Sequence, residues 1–202
     1  MLRITSVDKY KGSTYRIDFE GREPAFINRE IVSKYNLKAG VQIPEDAWEQ
    51  VIYDNNFRRA RERALYLLDY RDYSYIELFK KLRENYEEDI CYDVMDNLAE
   101  LGIINDRRYA RNLAEKLVDI KKFGYYRAVR EMRQKGISKE LADEALAKYE
   151  DSYSNRIIEL LETKYFRKLE SDNGIEKVKN ALVRQGYSYS EINEAMEQFF
   201  EE

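Results

Sequence analysis

The chain has 202 residues, 44% apolar and 37% charged, with eight glycines, two prolines and a net charge of −4. That balance favours helices with solvated faces around a real core over disorder or a loop-rich sandwich. It has no histidine and a single cysteine, Cys91, which removes the usual general base, a disulfide framework and a Cys/His zinc cluster.

The N-terminus lacks the apolar run of a signal peptide, and no segment approaches the roughly 18 apolar residues of a membrane helix. The expectation is a cytoplasmic protein without a membrane partner. Leu2–Lys9, Thr14–Phe19 and Glu23–Ile27 are short, rich in β-branched or aromatic residues, and separated by Lys11-Gly12 and Glu20-Gly21. They read as a three-stranded meander that must pack on helices to persist. Asn28 caps a short helix through Tyr35, stopped near Gly40. Pro44, followed by Glu45 and Asp46, opens the next helix.

From about Asn56 the chain reads as helical and it repeats. The stripes Tyr75/Leu78/Leu82, Tyr125/Ala128/Met132 and Ile175/Val178/Leu182 recur at steps of 50 residues, each with the i, i+3, i+7 spacing of one buried helix face. A longer helix precedes each stripe, at Phe57–Tyr70, Asp106–Lys122 and Ser154–Leu169, and a third follows it, at Asp89–Leu101, Ser138–Lys148 and Ser188–Phe200. Ser74 with Glu77, and Ser188 with Glu191, have capping-box spacing, and Ser138 caps alone. The expected fold is mainly α: three tandem three-helix repeats in an elongated curved array, with a small N-terminal β-meander. The boundaries expected are 1–43 for the β-rich segment with its short helix, 44–103 for repeat 1 with its lead-in helix, 104–150 for repeat 2 and 151–202 for repeat 3. The periodic faces look complete without the strands, so a 44–202 fragment is expected to fold alone.

No Gly-rich phosphate loop, nucleophile elbow or nucleophile–histidine pair exists, so a non-enzyme is expected, with no catalytic residue, no metal site and no cofactor. Glu87-Glu88-Asp89 reads as a solvated helix start and Cys91 as a small buried residue. Charge is unevenly spread. Residues 1–45 carry +2, 46–103 carry −6, 104–150 carry +4 and 151–202 carry −4. Between Asp106 and Lys135 ten basic residues face four acids. Arg127, Arg130 and Arg133 form a stripe beside the apolar face of Tyr125, Ala128, Val129 and Met132, and are expected to be exposed. Such a stripe suits phosphate or an acidic protein surface. With it go Arg107, Arg108, Arg111, Lys121, Lys122 and Lys135, although Glu115 is placed to satisfy Arg111. Tyr75, Tyr109 and Tyr125 belong to the core, while Tyr126, Tyr187 and Tyr189, beside turns, are candidate contacts.

The order Ala64-Leu65, Leu68, Arg71, Ser74, Glu77-Leu78, Leu82, then Ile104-Asn105-Asp106-Arg107-Arg108-Tyr109-Ala110, Gly124, Arg127, Met132 and Lys135-Gly136-Ile137 resembles the RecX family. The likeness extends, more weakly, to Leu182, Gly186 and Tyr187, and covers roughly 56–200. The β-rich 1–43 is similar to the extension of Gram-positive members. The resemblance implies a non-enzymatic cytoplasmic monomer that binds the RecA filament on single-stranded DNA and inhibits its extension, ATPase and strand exchange. It needs no cofactor, and single- or double-stranded DNA is at most a weak partner. The alternative is a direct DNA-binding protein whose three-helix units act as helix-turn-helix modules.

Overall fold

The computed structural model describes residues 1–201 as a mostly helical protein with a small N-terminal antiparallel sheet. It divides into two compact units, residues 1–71 with 78–101, and residues 72–77 with 102 onward.

In the first unit, β1 (Leu2–Lys11), β2 (Thr14–Phe19) and β3 (Arg22–Asn28) form the expected meander, since their alternation sends Ile4, Ile17 and Ile27 inward to full burial. Asn28 then caps α1 (Arg29–Lys34), its Oδ1 accepting from the Glu30 amide at 2.9 Å. The sheet has a fourth strand that the sequence reading did not anticipate. β4 (Gln42–Ile43) pairs antiparallel with β1, Leu2 opposite Ile43, giving the order β3-β2-β1-β4. Two residues are too few to show a period-2 pattern, so β4 has no signature of its own.

Helix α2 (Glu45–Tyr70) is one uninterrupted 26-residue helix rather than a lead-in followed by a second piece, for no Gly or Pro follows Pro44 to break it. Its first half belongs to the sheet. Trp48 and Val51 are buried with Ile4, Ile17, Phe19, Ile27 and Ile43 in one apolar cluster, and the Phe19 and Trp48 rings meet edge-on at 4.7 Å. Buried Asn55 adds a polar pin. Its Oδ1 accepts from the Asn28 amide at 2.9 Å and its Nδ2 donates to the Phe26 carbonyl at 3.4 Å. The start of α2 thus packs on the strands, and removing residues 1–43 would bare Trp48 and Val51. Further along α2, Ala60 and Ala64 are fully buried, and Arg61 donates from Nε to Asn97 Oδ1 at 2.9 Å. Next come α3 (Tyr75–Arg83), whose Leu78 and Leu82 are buried, and α4 (Glu88–Glu100), which buries Ile90, Cys91, Val94, Met95 and Leu98. Cys91 is the small core residue expected, and burial raises its thiol pKa above the ordinary value.

In the second unit, α5 (Asp106–Glu115), α6 (Tyr125–Gln134) and α7 (Lys139–Leu146) form one three-helix group. The other comprises α8 (Tyr153–Leu160), α9 (Phe166–Leu169), α10 (Gly174–Gln185) and α11 (Tyr189–Glu201). The long leading helices are present, but each carries a π turn, at Lys116–Ile120 and Leu161–Tyr165. One extra residue in the turn leaves the apolar spacing nearly intact, so periodicity cannot report it. Both groups share one core, running from Ala110 and Leu117 through Met132 and Leu146 to Ile157, Leu182 and Met196. The capping boxes form as expected: the Glu77 amide donates to Ser74 Oγ at 3.2 Å, and the Glu191 amide to Ser188 Oγ at 3.2 Å. Ile175, in the first turn of α10, departs from its stripe and is 46% exposed, lining an open cleft with Leu169 and Lys179.

The groups meet through main chain. The Gly124 amide donates to the Gln185 carbonyl at 3.0 Å and the Tyr126 amide to the Gly186 carbonyl at 3.1 Å. A Cβ on Gly186, whose φ is +98°, would lie 2.4 Å from the Arg127 nitrogen, and one on Gly124 would lie 2.5 Å from the Gly186 carbonyl carbon. Only glycine allows so close an approach. The turn at 135–136 repeats the arrangement. Ser74 Oγ donates a short hydrogen bond to the Lys135 carbonyl, and a Cβ on Gly136 would meet the Ile76 side chain at 2.7 Å.

Candidate binding surface of the basic three-helix group

Asn105 starts the basic segment by capping α5, its Oδ1 accepting from the Arg108 amide at 2.9 Å. That cap sets Arg107, Arg108 and Arg111 on the helix's exposed side, while Ala110 and Ala114 turn inward. Arg107 and Arg111 share one acceptor, Glu144 of α7, at 3.2 and 3.4 Å. Glu115, expected to serve Arg111, pairs instead with Lys148 at 2.9 Å. Arg108 donates to the Ile103 carbonyl at 3.0 Å.

After the π turn, Lys121 lies 5.5 Å from the Phe123 ring centre. Lys122 adopts a left-handed φ of +55° and pairs with Glu159 at 2.9 Å. Its carbonyl accepts from Gln185 Nε2 at 2.8 Å and from the Tyr187 hydroxyl at 3.0 Å. Lys122 thus does structural work through its backbone. Tyr187, expected as a surface contact, is 2% exposed.

Helix α6 divides its arginine stripe. Arg127 is half-buried. Its guanidinium stacks 3.9 Å from the Phe123 ring centre, lies 3.8 Å from Glu131 and reaches the Arg184 carbonyl at 3.5 Å. Arg130 and Arg133 are exposed and, among the described residues, form no ion pair. Lys135, at the end of the same helix, binds Glu77 at 2.9 Å, and Glu77 also accepts from the Tyr109 hydroxyl at 2.9 Å. The structure brings Arg130 and Arg133 onto one free stripe, and assigns Arg127, Lys122 and Lys135 intramolecular partners.

Carboxylates around this surface are held by hydrogen bonds. Burial pushes the Asp119 carboxyl up, but bonds from Tyr149 and Arg156, with the charges of Arg156 and Lys148, outweigh it and leave the pKa below its ordinary value. Asp106 goes the other way. Desolvation raises its pKa, opposed by the bond it accepts from the Tyr75 amide at 2.8 Å. Among the described residues no group of three His, Cys, Asp or Glu could hold a metal, and no helix is long and apolar enough to cross a membrane. The surface offers fixed positive charge and hydrogen-bond donors, suited to phosphate or carboxylate.

A second basic feature escaped the sequence reading. Arg59 and Arg63 of α2 are exposed and line a cleft of about 390 Å³ with Asn56, Tyr86 and Glu87. The run Arg58-Arg59-Ala60-Arg61 carries the signal, masked by the −6 balance of its segment.

Residues 60–98 match the family profile for the first three-helix domain of RecX, and residues 105–146 that for its second. Regulatory protein RecX of Streptococcus sanguinis is 26% identical over 96% of this chain and 76% of its own length. That of Clostridioides difficile is 26% identical over 96% and 93%. A crystal structure of a regulatory protein RecX superposes over all of both chains with a TM-score of 0.76 at 20% identity. The RecX of Lactobacillus salivarius covers 74% of this chain and 99% of its own, with a TM-score of 0.69 and 24% identity. The sheet, the ordered three-helix groups and the matches to both domains agree: the chain carries two RecX three-helix domains and is similar along its length to RecX regulatory proteins.

Proposed function

We propose that this protein binds the RecA recombinase filament on single-stranded DNA in the cytoplasm and restrains its extension, ATP hydrolysis and strand exchange. It acts by occupation of a surface and without catalysis. The observation that carries the reading is the pair Arg130 and Arg133, exposed and without an ion pair among the described residues, in a chain similar to regulatory RecX proteins. An unpaired arginine stripe gains nothing for the fold and gains a great deal against an anionic partner. Arg108, Lys121 and the Arg107–Arg111 pair extend it, while Arg127, Lys122 and Lys135 hold the surface in shape.

The test is RecA ATPase on single-stranded DNA with this protein titrated in. The wild type should suppress turnover. Arg130→Glu with Arg133→Glu should raise the concentration needed by about tenfold or more, with an unchanged circular dichroism spectrum. No suppression by the wild type, or equal suppression by a folded double variant, would refute it.

A further inference from the structure

A cleft of about 460 Å³ lies within the second unit, between the start of α6, the end of α7 and the start of α11. Its volume is that of a small-ligand site. Tyr153 lines it, is 2% exposed, and its hydroxyl has no hydrogen-bond partner among the described residues. A buried hydroxyl left unbonded is uncommon and calls for a partner from outside. The ring itself is fixed, packed edge-on to Tyr187 at 6.1 Å.

Three carboxylates line the same cleft, Asp143 and Glu150 from the basic segment and Glu191 from the acidic last one. Asp143 is already engaged, by Lys139 at 2.7 Å and by the Tyr125 hydroxyl at 2.7 Å. Glu191 uses one oxygen on the Ser188 amide at 2.7 Å, leaving the other. Glu150 is exposed and has no ion pair among the described residues. Tyr126, 63% exposed and edge-on to Tyr125 at 5.3 Å, gives an aromatic wall. Leu146 gives apolar surface.

We infer that this cleft receives the guanidinium of an arginine side chain from a protein partner. A planar cation with five donors can bond Glu150, Glu191 and the Tyr153 oxygen together while stacking on Tyr126. An anion is excluded by the carboxylates. The inference stands apart from the RecA reading and is tested without RecA.

The probe is Nα-acetylarginine amide, titrated into the full chain while the tyrosine ring resonances are followed by NMR. Saturable shifts at Tyr126 and Tyr153 are expected in the millimolar range typical of so small a ligand. The citrulline analogue, which lacks the charge, should give none. Tyr153→Phe should weaken binding about tenfold, the effect of losing one charge-assisted hydrogen bond, while raising the melting temperature because the orphan hydroxyl is gone. Glu150→Gln, on the surface and harmless to folding, should weaken it too. Free L-arginine should bind no tighter than the capped form, and a tenfold preference for it would overturn assignment to a protein side chain. Absence of saturable shifts, equal response to citrulline, or unchanged affinity in both variants would overturn the site itself.

Discussion

Gly186→Ala is the substitution for which the structure gives the sharpest expectation. One methyl group meets two separate penalties. The backbone at φ +98° is one that an L side chain rarely adopts, at a cost of about 1–2 kcal/mol. The new Cβ would also sit 2.4 Å from the Arg127 nitrogen and 2.5 Å from its Cβ, a contact with backbone that cannot swing away and costs about 1–3 kcal/mol. The expected loss is about 2–5 kcal/mol, a large part of a domain's ~5–15 kcal/mol. Two companions separate the penalties. Gly102→Ala has φ +66° and nothing within 4 Å of its Cβ, so it carries the first alone. Gly124→Ala has φ −75° and meets the Gly186 carbonyl at 2.5 Å, so it carries the second alone. Urea unfolding followed by far-ultraviolet circular dichroism measures all three. With a slope of about 3 kcal/mol per molar urea, Gly186→Ala should lower the midpoint by about 0.7–1.7 M, and the two companions by less. If Gly186→Ala and Gly102→Ala prove equal, or Gly124→Ala is neutral, the main-chain approach is not limiting and the reasoning fails.

Deleting residues 1–43 should leave a fragment whose α2 is frayed at its start, because Trp48, Val51 and Asn55 lose their partners; a red-shifted Trp48 fluorescence maximum would show it, and a native-like maximum would contradict it. Asp106→Asn should change the pH dependence of stability in a defined direction. The Asp106 pKa is raised in the folded state by desolvation, so folding favours the protonated form and wild-type stability falls as pH rises from the unfolded value, about 3.9, through the folded one. Asparagine can still accept from the Tyr75 amide, so the variant should gain on the wild type across that window, and melting temperatures that stay parallel from pH 3 to pH 7 would argue against it.

Much of this fold is legible in the sequence because helices advertise themselves twice, by period and by caps. Ser74, Ser138 and Ser188 cap where their spacing says they should, and Met132 and Leu182 are buried where the stripe says they should be. The misses share a cause. β4 pairs with β1 across some 40 residues, Trp48 meets Phe19 from another element, and Tyr187 is buried by a bond to the carbonyl of Lys122. None of these follows from neighbours in sequence. The candidate surface divides the same way. Composition marks the basic segment, but only the fold separates Arg127, stacked on Phe123, from Arg130 and Arg133 beside it. The unbonded Tyr153 hydroxyl has no sequence signal, since an orphan is defined by what surrounds it.

The joint between the three-helix groups bears on how such a chain can lengthen. Position 124 bonds the carbonyl of residue 185 through its amide, and position 74 bonds the carbonyl of residue 135 through its hydroxyl. In both, a glycine at the turn, Gly186 or Gly136, makes room for the start of a helix about 60 residues earlier. Each joint therefore rests on a main-chain carbonyl and one glycine, with the Ser74 hydroxyl as the donor in one of them. A group added by duplication would carry the same carbonyl and glycine with it, and a structure only 20% identical in sequence shares this fold.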